Sequence, residues 1–179
     1  MHPREPDPVK FLVGAIYRVD LALEEATREL ERTYGEIDFR GDPVPFDATE
    51  YYSSEMGSPL TRMFFSFRHL MSPGGLVPMK LRCGEIEEAT GENGRRKVNL
   101  DPGYMDFGKF VLASFKYKPN KIYLAQGVYA DPTLFFEQGA FHPYPWTFPD
   151  MRGSAHHETF LRIRGLYREA MRGAGGDRG

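Results

Sequence analysis

The run Val98-Asn99-Leu100-Asp101-Pro102-Gly103-Tyr104 places an amide, a carboxylate and a phenol within six positions. Asp-Pro-Gly reads as a turn, in which Pro presets φ and Gly takes a left-handed conformation. A turn there would present Asn99, Asp101 and Tyr104 at a strand end. The plain alternative is that Asp101 only hydrogen-bonds the turn amides. A carboxylate in particular is needed only where its charge acts as a base, holds a cation or holds an arginine. Asp101 is therefore the expected acidic centre, with Asn99 and Tyr104 beside it and Arg152 or Lys121 as cationic partner. A second run, Trp146-Thr147-Phe148-Pro149-Asp150-Met151-Arg152, carries the only tryptophan and an acid–base pair. It reads as an aromatic latch closing a sheet, or as a ligand contact, since a guanidinium fork suits phosphate or carboxylate. The candidate binding set is Arg62, Lys80, Asn99, Asp101, Tyr104, Lys121, Tyr129, Asp150 and Arg152. Its cations suit a small anionic ligand, a nucleotide or a phosphorylated or carboxylated metabolite. No catalytic residue is assigned. The competing class is a non-catalytic protein-interaction module that docks a partner through Tyr51-Tyr52 and the aromatic segment 141–148.

Other chemistries lack their signatures. Gly91-Glu92-Asn93-Gly94-Arg95-Arg96-Lys97 does not have the spacing that aims backbone amides at phosphates, and reads as a solvated turn. Gly14 stands alone after the first apolar run, so no dinucleotide fingerprint follows it. His156 and His157 are adjacent, point about 100° apart on a helix, and read as polar first-turn residues rather than a metal clamp. The single cysteine, Cys83, allows no internal disulfide or CxxC pair and reads as a buried, inert thiol. No metal or cofactor is expected.

The 179 residues carry 23 Lys plus Arg and 25 Asp plus Glu, a net charge of −2. That balance argues against dedicated nucleic-acid or polybasic membrane binding. With 41% hydrophobic residues there is ample material for a core. The longest apolar run, residues 11–17, is too short for a bilayer span, and no signal-peptide core follows the charged start. A soluble cytoplasmic protein is expected, with flexible tails at 1–8 and 173–179 and one domain over 9–172.

Residues 11–17 read as a buried strand. Asp20 reads as N-cap of a helix with Leu23, Ala26, Leu30 and Tyr34 on one face, stopped by Gly35 at C′. Residues 36–40 alternate as a half-exposed strand. A long crossing loop with one helical turn fits 42–59, and a strand 62–67. Leu76, Met79, Cys83, Ile86 and Ala89 set a second helix, followed by a short strand at 96–100. Strands at 109–115, 121–124 and 128–136 come next, with Pro132 implying an edge or a bulge. The segment 141–149 should wrap the surface, and a last helix from about Ala155 should be capped by Ser154. This order predicts an α+β fold: a ferredoxin-like split βαβ mixed sheet extended by antiparallel strands, helices packed on one face. A more barrel-like sheet is the alternative.

The phrases Pro8-Val9-Lys10-Phe11-Leu12-Val13-Gly14, Val98-Asn99-Leu100-Asp101-Pro102-Gly103-Tyr104, Lys121-Ile122-Tyr123-Leu124 with Gly127-Val128-Tyr129-Ala130, and Trp146-Thr147-Phe148-Pro149-Asp150-Met151-Arg152 resemble a bacterial family known as domain of unknown function 4416. The resemblance runs from about residue 8 to residue 168. It implies a single-domain bacterial cytoplasmic protein, and carries over no activity, cofactor or catalytic residue. Some members bear a GTP-binding label, although this chain has no P-loop. Met151 stands where members usually have Tyr.

Overall fold

A computed structural model describes residues 2–48 and 51–175. The elements, in chain order, are β1 (Val9–Tyr17), α1 (Asp20–Tyr34), β2 (Ile37–Arg40), β3 (Val44–Phe46), α2 (Ser53–Met56), β4 (Leu60–Met71), α3 (Leu76–Ala89), β5 (Val98–Met105), β6 (Lys109–Ser114), β7 (Ile122–Ala125), β8 (Val128–Glu137), β9 (Ala140–Pro143), α4 (Pro149–Arg152) and α5 (His157–Gly175). The fold is α+β, a nine-stranded sheet with peripheral helices. Its order is β2-β4-β1-β5-β6-β8-β7, with β3 beside β4 and β9 beside β8.

Among the described residues every strand pairing is antiparallel. The expectation of a mixed sheet is therefore corrected. Each helical crossover passes over a neighbouring strand position, so β1 meets β4 and β5 head to tail rather than in parallel.

Alternation along β1 explains both faces of the sheet. Val9, Phe11, Val13, Ala15 and Tyr17 pack with Leu23, Ala26 and Leu30 of α1 and Met79, Cys83 and Ile86 of α3. Leu12 points to the opposite face, where Phe64, Phe110 and Leu112 meet Phe160 and Ile163 of α5. Helices thus cover both faces, a second correction, because a sheet apolar on both sides needs both covered. On the α5 face the core is divided. Leu12 belongs to one cluster and Ile16 to another with Phe46, Met56 and Leu60. Between Leu12 and Ile16 the β1 residue on that face is Gly14.

Local differences have local causes. Val19, not Asp20, is the N-cap of α1, and it makes no side-chain cap bond. Gly35 closes the helix at φ 87° as expected. The 141–149 segment contributes β9 before it becomes a surface strap. The Ser154 hydroxyl accepts no capping N–H among the described residues: its carbonyl accepts the His157 amide, and α5 starts at His157. The ladder of β6 on β8 shifts register between Phe110 and Val111, skipping Thr133 next to Pro132. α5 continues to Gly175, so 173–175 are helical rather than a free tail; residues 176–179 lie outside the described residues, as does Met1. Residues 2–8 form no regular element, and the Pro8 carbonyl accepts the Tyr167 hydroxyl at 3.1 Å. No helix among the described residues is long and apolar enough to cross a membrane.

Candidate functional site

β5 pairs with β1 along its whole length but with β6 only from Gly103 to Met105. Before Gly103 the two strands part. Asn99 and Asp101 on β5 and Leu112, Ala113 and Ser114 on β6 line a cavity of about 310 Å³. Pro102 sits at the parting point, where its missing N–H costs no ladder bond. Residues two apart on a strand present their backbone groups to the same edge, and Leu100 shows what replaces β6 there. Its amide donates to Glu87 Oε1 at 2.6 Å and its carbonyl accepts from Lys80 Nζ at 2.9 Å. Asp-Pro-Gly is thus extended strand, not a turn: β1 supplies partners on one edge and α3 side chains on the other. Gly103 is required by close approach, because a Cβ there would lie 2.5 Å from the Val111 carbonyl oxygen.

The cavity floor is a chain of alternating charges. Arg62, on β4, is 4% exposed. It reaches Asp150 at 2.9 Å and Asp101 at 3.5 Å, and its guanidinium lies 4.9 Å from the Phe64 ring centroid. Gly14 makes this possible, since a Cβ there would fall 2.6 Å from Phe64 Cε1 and 3.0 Å from Arg62 Nη2. Asp101 also faces Lys80 at 3.6 Å and accepts from Asn99 Nδ2 at 3.0 Å. Asn99 Oδ1 in turn accepts from Arg96 at 2.8 Å. Arg96 grips Glu55 of α2 through two side-chain nitrogens, at 2.9 and 2.7 Å, and reaches Glu87 at 3.3 Å. These bonds hold the Glu55 carboxyl down, to about 2, while burial pushes the Glu87 carboxyl up. Beside this chain, Lys121 pairs with Asp131 at 3.2 Å and donates to Ser114 Oγ at 2.7 Å.

Under Arg62, three side chains hold buried polar atoms without hydrogen bonds: Arg62 Nε, both Asp150 carboxylate oxygens and His156 Nδ1. The Arg62–Asp150 contact is close in distance but off the hydrogen-bond direction. His156 is 2% exposed, packed at 4.9 Å against the Phe64 ring. Burial, and then Arg62, pull its pKa down to about 4. It is a core residue, not the polar first-turn residue that its position suggested, because the face it occupies is covered by the sheet.

At the mouth, three exposed rings line the cavity, and each has a lysine against it. Lys116 Nζ lies 3.7 Å from the Tyr51 centroid, Lys118 5.1 Å from Phe148, and Lys80 5.2 Å from Phe115. Such contacts hold ammonium groups by the ring quadrupole.

Of the nine residues expected at a site, Arg62, Lys80, Asn99, Asp101, Lys121 and Asp150 line this cavity. Tyr104 does not: three positions from Asp101, it points to the other face and packs on Phe11 at 6.2 Å. Tyr129 packs between Tyr117 and Tyr123. Arg152 donates to the carbonyls of Thr147 and Pro145, both at 2.6 Å, and so pins the strap. The cations beside Asp101 are Arg62 and Lys80, rather than Lys121 or Arg152. Sequence reasoning missed Glu87, Arg96, Asp131, Lys116 and Lys118. One signal was present: Lys80 and Glu87 fall on the apolar face of α3 with Met79, Cys83 and Ile86, where a charge needs a partner. Cys83 is fully buried and its thiol is pushed up by that burial. Among the described residues no group of three or more His, Cys, Asp or Glu is placed to hold a metal ion.

Comparison with curated proteins and with solved structures returns no match. A family model described as Domain of unknown function (DUF4416) matches residues 7–167. The match includes both unusual runs, the β5 strand that leaves the ladder and the Trp146 strap. It spans most of the chain, and the protein belongs to this DUF4416 family.

Proposed function

We propose that this is a cytoplasmic ligand-binding protein whose cavity takes a small anion, a nucleotide or a phosphorylated or carboxylated metabolite. The supporting observation is an imbalance of charge. Six cations line the cavity, Arg62, Lys80, Arg96, Lys116, Lys118 and Lys121, against four carboxylates, Glu87, Asp101, Asp131 and Asp150. The other four cations are each in an ion pair. Lys116 and Lys118 have no carboxylate partner among the described residues, and both stand at the mouth. Two ammonium groups held on ring faces beside a cavity of about 310 Å³ suit an anionic group on a ligand of metabolite size. The rim aromatics belong to this concave site, which favours a ligand over a flat partner. The order β2-β4-β1-β5, with α1 and α3 on one face, supports reading that half as a ferredoxin-like split βαβ unit to which β6–β9 add the cavity's second wall.

The test is thermal unfolding with inorganic phosphate, pyrophosphate, ribose 5-phosphate, adenosine monophosphate or citrate, against sodium chloride of equal ionic strength. A ligand at about 100 times its dissociation constant adds roughly 2.7 kcal/mol, a shift of several degrees. The reading fails if none of the five raises the midpoint above the salt control. It also fails if the Lys116→Ala/Lys118→Ala variant keeps the full shift.

A further inference from the structure

The cavity is electrically two-sided. At its inner end every charged group is compensated: Asp101 lies between Arg62, Lys80 and the Asn99 amide, and Asp131 takes Lys121 and Asn120. Within this group the Asp101 side chain is the most open, 22% exposed, against 5% for the side chain of Arg62, 7% for Lys80 and 3% for Lys121; Arg96, 26% exposed, is already committed to Glu55 and Glu87. A molecule reaching the floor therefore meets a hydrogen-bond acceptor that has already collected its cations. A second anion placed there would face Asp101 with no uncommitted positive charge. At the outer end the order reverses, and Lys116 and Lys118 have no carboxylate partner among the described residues.

We propose, building on the anion-binding reading above, that the ligand is bipolar: its anionic group stays at the mouth between Lys116 and Lys118, and a hydroxyl-bearing, uncharged end enters to donate to Asp101. The class is a hydroxylated metabolite with its phosphate or carboxylate at one end, such as a sugar monophosphate, and not a molecule with charge at both ends. Phe115 and Phe148 also line the cavity, and offer the ligand apolar surface without a hydrogen bond. The lysines are held by rings rather than by carboxylates, so an incoming anion does not have to break an ion pair to reach them.

Calorimetric titration of the full chain with three probes at one ionic strength tests this: ribose 5-phosphate, pentyl phosphate and inorganic phosphate. The first two share one charged group and a five-carbon body, and differ in the hydroxyls. Ribose 5-phosphate should bind at least about tenfold more tightly than either other probe, the effect of one charge-assisted hydrogen bond. Asp101→Asn should bring ribose 5-phosphate down towards the other two while leaving inorganic phosphate unchanged. Lys116→Ala/Lys118→Ala should weaken all three together. Equal binding of the three probes to the wild-type chain overturns the bipolar assignment and leaves the anion site standing. So does tighter binding of pentyl phosphate. Absence of binding by all three overturns both. The wild-type comparison decides the matter even if Asp101→Asn fails to fold.

Discussion

Lys80 and Glu87, two turns apart on α3, hold the carbonyl and the amide of one residue, Leu100, at 2.9 and 2.6 Å. A helix here performs the hydrogen bonding that a neighbouring strand performs elsewhere, and that substitution is what lets β6 leave β5 and the cavity open. Both side chains are buried, 7% and 9% exposed, so neither backbone group has water to fall back on.

Lys80→Met should therefore destabilise the protein by about 1–3 kcal/mol, the cost of leaving a buried acceptor unpaired. Glu87→Gln keeps an acceptor for the Leu100 amide and should cost less. Burial raises the Glu87 pKa, so folding penalises its charged form relative to the unfolded chain. Glu87 contributes stability below its ordinary value of 4.5 and loses it as pH rises through the raised folded value. The Gln variant should lack that loss. Urea unfolding of each variant at several pH values measures both effects.

Glu55 behaves in the opposite sense. Arg96 holds its carboxyl at about 2, against an ordinary 4.5. The stability it contributes is present above pH 4.5 and is lost as pH falls from there towards 2. Glu55→Gln should flatten the thermal midpoint over that window and leave it unchanged in shape above it. An unaltered acid limb in the variant would count against the Arg96 grip.

His156 acts in a higher window. Its folded pKa is about 4 and its ordinary value 6.5, so the unfolded chain takes up the proton first. Stability should fall as pH drops from 6.5 towards 4. His156→Leu fits the apolar side of Phe64 and Phe160 and should remove this slope. Unfolding midpoints at pH 7, 5.5 and 4.5 separate it from the Glu55 effect.

Gly103→Ala should act on the fork itself. The added Cβ would lie 2.5 Å from the Val111 carbonyl and 2.9 Å from Phe110 Cε2, and backbone cannot step aside as a flexible side chain can. A loss of about 1–3 kcal/mol is expected from overpacking. Amide exchange should quicken in residues 109–114 before it does in β1, which keeps its ladder to β4.

Which parts were readable from sequence follows from the range of the forces. The α1 face, Leu23, Ala26 and Leu30, and its stop at Gly35 depend on neighbours three or four positions away, and α3 likewise runs over residues 76–89 as its apolar spacing predicts. Asp-Pro-Gly misled for the same reason. Its local preference is for a turn, but long-range pairs override it, with Val13 opposite Pro102 on one side and Lys80 and Glu87 at Leu100 on the other.

The sequence alone determined the α+β class, helices α1 and α3 and a set of polar residues worth watching, because periodicity and residue type are local properties. Only the tertiary structure decided which of them meet. Arg62, Lys80, Asn99, Asp101, Lys121 and Asp150 come from β4, α3, β5, the β6–β7 connection and α4, and no spacing in the chain encodes their convergence. Tyr104 was lost by strand alternation, and Arg152 by two nearby carbonyls that its guanidinium satisfies. The strand register against β1 and the parting of β5 from β6 set which side chains share a face and which open onto the cavity.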